Sequence, residues 1–289
     1  MPLRFHITLA VLLPIILVMG MVTAGLKLPL PHLGRAYVVR IELPEAGAPV
    51  DLPTIQGPQD SSRPLVVIDA GHGGHDPGAS GADFKEKSIV LGLARALRNQ
   101  LLDEGGIRVA MTRDEDRFLV LDERAEIARK LGADLFLSIH ADSAGELSGV
   151  SGASVYTLSG KASSQAAERY AARENSADLL NGQLLTDRSD DVSAILVELS
   201  QRRTQEKSAE FASLILREGE GQLVFHPQPK RSASLVVLRA PDVPSVLYES
   251  GFVTNPEDAQ RLASPEGQAC FADVMARAIR IYFARQNGV

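Results

Sequence analysis

From Arg63 onward the chain alternates short apolar runs with helical patterns, and this alternation restricts its possible folds more than any other feature. Leu65-Val66-Val67-Ile68 reads as a buried strand, Glu86 to Glu104 as a helix, Ile107 to Met111 as a strand, Leu121 to Leu131 as a helix and Leu135 to Ile139 as a strand. Ala153 to Leu158, Leu235 to Leu238 and Val246 to Tyr248 supply further short strands, and Ala269 to Phe283 a closing helix. Strands separated by helices pair in parallel, so the expected class is α/β, a single domain with a twisted, mostly parallel sheet flanked by helices. Between Ala162 and Glu218 the strand signals stop. That stretch reads as an inserted helical segment, with helices from Ser163 to Leu185 and Asp191 to Arg217 and a polar turn at Asp187-Arg188-Ser189-Asp190 between them.

The N-terminal part has a different texture. Arg4 precedes an apolar run from Ile7 to Met21, and Val22-Thr23-Ala24 resembles a signal-peptidase site, so residues 1–24 are expected to be a signal peptide. Counted on to Leu26, the run is also long enough for an uncleaved anchor, although Pro14 and Gly20 weaken that alternative. Either reading exports the folded part, with the periplasm as the expected compartment and membrane contact only if the segment stays uncleaved. Residues 25–63 read as a tether, with several prolines, a short apolar stretch at Tyr37-Val38-Val39 and the linker-like Gly57-Pro58-Gln59-Asp60-Ser61-Ser62. Residues 64–289 form the expected catalytic domain, with its insertion at about 162–218. The lone cysteine, Cys270, excludes an internal disulfide and any cysteine-based zinc finger, and its place in the last apolar pattern predicts a small core residue. With 30 Lys+Arg against 36 Asp+Glu, nothing in the charge favours a nucleic-acid partner.

In open α/β sheets ligands gather beyond the carboxyl ends of the strands, so the residues just after each apolar run carry the information. After Ile68 comes Asp69-Ala70-Gly71-His72-Gly73-Gly74-His75-Asp76-Pro77-Gly78, after Ile139 comes His140-Ala141-Asp142, and after Tyr248 comes Glu249-Ser250-Gly251. Glu86 opens the first helix, and the glycines before it let that helix start fold back over the same rim. His72, Glu86 and His140 make a His2Glu set, the combination of catalytic zinc sites that leave one position to water. Each has a plainer alternative: a polar residue in a Gly-rich turn for His72, a favourable first-turn charge for Glu86, a satisfied core histidine for His140. A phosphate-cradling loop fails for want of a following Gly-Lys-Ser/Thr. All of these residues lie at strand ends or a helix start, and that coincidence favours the metal site. Asp69 and Asp142 are candidates to orient the ligating imidazoles, with turn capping as the alternative. Arg124 could reach an acidic substrate group, or simply be solvated.

The ordered motifs Val67 to Gly78, Glu86-Lys87, Ser138-Ile139-His140-Ala141-Asp142 and Glu249-Ser250-Gly251-Phe252-Val253-Thr254-Asn255 resemble those of the zinc-dependent N-acetylmuramoyl-L-alanine amidases of the cell-division, AmiC-like (amidase type 3) family. The resemblance covers about Leu65 to Tyr282. It implies one zinc ion held by His72, Glu86 and His140, Glu249 as the catalytic carboxylate, and peptidoglycan as substrate. A zinc peptidase acting on stem peptides and a non-catalytic peptidoglycan-binding protein remain alternatives. Many relatives carry a wall-targeting β-sandwich before the amidase, for which the tether here is too short. The 162–218 insertion resembles the regulatory insertion of those amidases held inactive until an activator protein, of LytM type, binds. Ala167, Tyr170, Ala171, Glu174, Ala177 and Asp178 fall on one helical stripe, so Glu174 is an inward-facing carboxylate and a candidate fourth zinc ligand. The alternative is a salt bridge, for example with Arg173 or Arg169.

Overall fold

The computed structural model describes residues 52–145, 149–177, 179–180, 183–184, 194–286 and 288. The expected signal or anchor, the Tyr37-Val38-Val39 stretch, Asp178 and the Asp187–Asp190 turn lie outside the described residues. In chain order the elements are β1 (Leu65–Ala70), α1 (Glu86–Glu104), β2 (Arg108–Met111), α2 (Leu121–Lys130), β3 (Leu135–Asp142), β4 (Ala153–Leu158) and α3 (Gln165–Glu174). They continue with β5 (Leu179–Leu180), β6 (Gln183–Leu184), α4 (Ala194–Gly219), β7 (Phe225–Ala233), β8 (Ser245–Phe252), α5 (Pro256–Ala263) and α6 (Pro265–Gln286).

One six-stranded sheet runs in the order β2-β1-β3-β8-β4-β7. The first four strands are mutually parallel, β4 runs antiparallel to β8, and β7 is parallel to β4. The fold is thus α/β as expected. Every residue of β1, β3 and β8 is buried, the pattern of central strands covered on both faces. Alternate side chains feed two cores. Val66, Ile68, Leu135, Leu137 and Ile139 pack with Leu93, Leu97 and Leu101 of α1 and with α4 and α6, whereas Val67 and Phe136 pack with α2 and α3. A register shift between His140 and Asp142 leaves an extra residue on β8 before Phe252, a bulge at the strand ends that re-aims the side chains there.

Several local expectations change. The helix expected to run to Leu185 stops at Glu174, because Asn175 turns its side chain to the next segment. Its Nδ2 donates to the Ser234 carbonyl at 2.7 Å and its Oδ1 accepts from the Val236 N–H at 2.8 Å. The same bonds divert backbone that a strand at Leu235–Leu238 would need, and Val236–Leu238 is one turn of 3-10 helix. Beyond α3 the two short strands β5 and β6 pair antiparallel where helix was expected. Strand β7 and helix α5 were not anticipated. The second half of the insertion is core rather than appendage: Phe211, Ala212, Leu214 and Ile215 of α4 are buried, each of the larger three contributing about 1.5–3 kcal/mol of burial. Gln56, expected in the tether, exchanges backbone hydrogen bonds of 2.8 and 2.9 Å with Val109 and so covers the β2 edge. Cys270 is half-buried beside Gln222 rather than a core residue, since it lies at the flank of the α6 stripe. Among the described residues no helix is long and apolar enough to cross a membrane.

Candidate metal centre

The rim of the sheet is formed by the ends of β1, β3 and β8 and the start of α1. His72 follows β1 in a left-handed backbone conformation, φ +58°, which is strained for any residue with a side chain. His140 and Glu249 are register partners on the adjacent strands β3 and β8. Glu86 opens α1 and is buried, its Oε1 accepting from the Ala141 N–H at 2.9 Å and its Oε2 from the Ala79 N–H at 2.7 Å. Two glycines make room: a Cβ on Gly71 would meet the His140 ring at 2.4 Å, and one on Gly78 would meet Glu86 Oε2 at 2.5 Å and His72 Cδ2 at 2.7 Å.

The structure brings His72, Glu86 and His140 together as the spacing suggested, and it adds Glu174. His72 Nε2 lies 3.1 Å from Glu86 Oε1 and 3.5 Å from Glu174 Oε2, and His140 Nδ1 lies 3.2 and 3.3 Å from the same two oxygens. All four residues are buried. Despite these distances the two ring nitrogens make no hydrogen bond among the described residues. A four-coordinate ion with bonds of about 2.0–2.1 Å requires ligand-to-ligand edges of about 3.3 Å. The observed spacings, the orphaned nitrogens and the mixed N/O donor set fit a metal ion at the centre, and His72, His140 and Glu174 form a buried group that could hold one.

The remaining side chains orient or charge this centre. His72 Nδ1 is 2.7 Å from Asp76 Oδ2, which fixes the proton on Nδ1 and leaves Nε2 free as a ligand. The orienting role thus falls to Asp76. Asp69, the candidate for it, is bonded to Thr112, Ser138 and Arg124, and Asp142 to Arg173; each carboxylate is drawn away by a nearer cation or hydroxyl. Arg124 is buried and grips backbone, so it does not face substrate, and His75 stacks on Phe118 outside the cluster. Glu174 is bonded at Oε1 by Arg173, 3.0 Å, so the salt bridge and the approach to the histidines are both present. Sequence reading gave Asp76 no role, since an aspartate in a Gly-Pro turn looks like an ordinary cap, and it placed Tyr170 on the inward stripe without a role; its buried hydroxyl finds no hydrogen-bond partner among the described residues.

In the metal-free protein the charges interlock. Burial drives the His140 pKa down, but the Glu174 and Glu86 carboxylates outweigh it and raise it to about 10. Burial likewise opposes the charge on Glu86, which His72 and His140 nevertheless hold well below the usual carboxylate range. Glu249 goes the other way: burial first, then the neighbouring Asp142 charge, push it well above that range, and neither of its oxygens has a hydrogen-bond partner among the described residues. A buried carboxyl with no hydrogen-bond partner beside a cluster of ligands is placed to exchange a proton with a group bound there.

An α/β sheet whose strand ends gather two histidines and two carboxylates next to such an acid has the architecture of a hydrolytic enzyme. A family model described as N-acetylmuramoyl-L-alanine amidase matches residues 66–280, and the chain belongs to that family. It is similar to the N-acetylmuramoyl-L-alanine amidase AmiA of Escherichia coli K12, at 39% identity over 227 residues and 78% of each chain. With AmiC of Escherichia coli O6:H1 the identity is 37% over 241 residues, spanning 80% of this chain and 57% of that protein. Among solved structures, AmiC2 of Nostoc punctiforme superposes with a TM-score of 0.54 at 30% identity, across 77% of this chain and 98% of that one. The protein is thus a peptidoglycan amidase.

Proposed function

We propose that this chain is a zinc-dependent amidase that cleaves the bond between N-acetylmuramic acid and L-alanine, and that it is autoinhibited. His72, Glu86 and His140 would hold the ion, and the convergence of the two orphaned imidazole nitrogens with Glu86 is the observation that carries this reading. When bound there, zinc supplies Lewis acidity, which polarises a scissile carbonyl and acidifies water. Glu249 would take the proton from the attacking water and deliver it to the leaving amine of alanine, a role for which its place beside His140 at the strand ends suits it. Asp76 keeps His72 in the ligating tautomer.

Glu174, carried to the histidines by α3, would be a further ligand to the ion and so hold the resting state, and an activator of LytM type engaging the 162–218 segment would shift the population to an open form. Residues 1–24 act as the export signal and the following residues, up to about 50, as a tether, which puts the enzyme in the periplasm for wall remodelling and daughter-cell separation. Elemental analysis and turnover test the site together. His72→Ala and His140→Ala lose zinc, whereas Glu249→Ala keeps it and loses about 10²–10⁴-fold in rate. Digestion of purified peptidoglycan releases intact stem peptides; cleavage within the peptides instead would overturn the assigned bond, and a Glu249→Ala protein emptied of zinc would overturn the roles.

A further inference from the structure

Two buried arginines grip the backbone that carries His72. Arg113 is 1% exposed and Arg124 2%. Arg113 donates through Nε to the Ala70 carbonyl and through Nη2 to the Gly71 carbonyl, both at 2.8 Å. Arg124 donates through Nη1 to the Ala70 carbonyl and through Nη2 to the His72 carbonyl, again at 2.8 Å. Three successive carbonyls thus turn into two guanidinium groups, which an extended chain cannot arrange. His72 sits at the end of this turn with φ +58°, a conformation that costs a residue with a Cβ about 1–2 kcal/mol and persists only where the surroundings enforce it. Asp69 fixes the clamp from behind. Its Oδ1 meets Arg124 Nη1 at 2.8 Å and Thr112 Oγ1 at 2.6 Å, and its Oδ2 accepts from Ser138 Oγ at 2.7 Å.

We propose that Arg113 and Arg124 are positioning residues for the metal ligand His72: by binding the carbonyls of residues 70–72 they hold the left-handed turn that aims Nε2 at the ion. The inference rests on the reading of His72 as a ligand. Lysine in place of either arginine keeps the charge but cannot span two carbonyls with one planar fork, so it separates geometry from electrostatics. Asp69→Asn keeps the shape and removes the charge that anchors Arg124.

The full-length variants Arg113→Lys, Arg124→Lys and Asp69→Asn are compared with wild type by Zn²⁺ competition against a chelator, by the visible spectrum of the Co²⁺ form and by thermal unfolding of the metal-free protein. The expected result is Zn²⁺ binding weakened about 10–100-fold in the lysine variants and in the same direction for Asp69→Asn, with altered Co²⁺ bands. A residue of merely structural importance lowers the melting temperature and leaves the ion's affinity and spectrum as they were. Folded variants with wild-type Zn²⁺ affinity and unchanged Co²⁺ bands overturn the proposal, as does failure of all three to fold, because the arginines then hold the whole domain. If His72→Ala binds Zn²⁺ as tightly as wild type, the ligand assignment fails first and the clamp falls with it.

Discussion

Removing the Glu174 carboxylate should release the enzyme from its resting state. Its Oε2 lies 3.5 Å from His72 Nε2 and 3.3 Å from His140 Nδ1, in a site closed to solvent. With zinc bound the Glu174 carboxylate would be held by the ion, since neither imidazole nitrogen hydrogen-bonds to it, and the contact from Oε1 to Arg173 is discounted because that guanidinium side chain is 44% exposed. Taking about 2–3 kcal/mol for the closed state gives Glu174→Ala a basal rate about 30–160-fold above wild type, up to the ceiling at which every molecule is open. Arg173→Ala removes only the screened pair to Asp142 and Glu174, about 0.5–1 kcal/mol, and should raise the rate about 2- to 5-fold. The assay is release of soluble fragments from purified peptidoglycan without activator, at equal zinc occupancy, since losing a fourth ligand also weakens metal binding. Wild type as fast as Glu174→Ala, or a folded, zinc-loaded Glu174→Ala that stays at the basal rate, would refute the reasoning. A larger effect from Arg173→Ala than from Glu174→Ala would move the latch from the metal to the Asp142 contact.

Gly78→Ala should weaken zinc binding at least 10-fold in a chelator competition, because its Cβ collides with both Glu86 and His72; Gly105→Ala has a similar φ, +70°, and open space around it, so it carries the backbone cost without the metal effect. The metal-free protein should lose thermal stability as pH rises. His140 is held at about 10 when folded against an unfolded value near 6.5, so its contribution is complete below the unfolded pKa and disappears as pH climbs through the folded one. Melting curves of the metal-free form from pH 6 to about pH 10 check this, and the zinc-loaded form, whose histidines are already neutral ligands, should not show the decline. Equal pH profiles for the two forms would mean that the histidines do not face the carboxylates in solution.

Much of the site was legible because it lies where strands end. Apolar runs announce β1, β3 and β8, and the polar residues directly behind them are His72, His140 and Glu249. The helical spacing of Ala167, Tyr170, Ala171 and Glu174 likewise matches the buried stripe of α3. What escaped reading depends on partners distant in sequence. No periodicity reports that Asn175 bonds backbone at residues 234 and 236, so the end of α3 was overrun. A local clue did exist there: Asn181-Gly182 between leucine pairs is a hairpin signal, and β5 and β6 flank it. Strand β7 was hidden by Pro227 and Pro229, which a strand tolerates at a sheet edge, the place it occupies. Strand direction has no signature of its own, which is why the reversal at β4 became visible only in the pairing.

That reversal bears on how the proposed brake could be gained or lost over evolutionary time. Because β4 and β7 are parallel neighbours, the chain must travel the length of the sheet between them, and a helix is the usual vehicle. Helix α4 is that vehicle, with Phe211 and Ile215 embedded in one core, and α3 rides the same path with Ala167, Tyr170 and Ala171 buried in the other. Shortening that path across α3 would strip Ala167, Tyr170 and Ala171 from a core along with Glu174. The restraint proposed for Glu174 would therefore be lost more readily by a point substitution than by removing the helix that carries it, because that helix also closes a core.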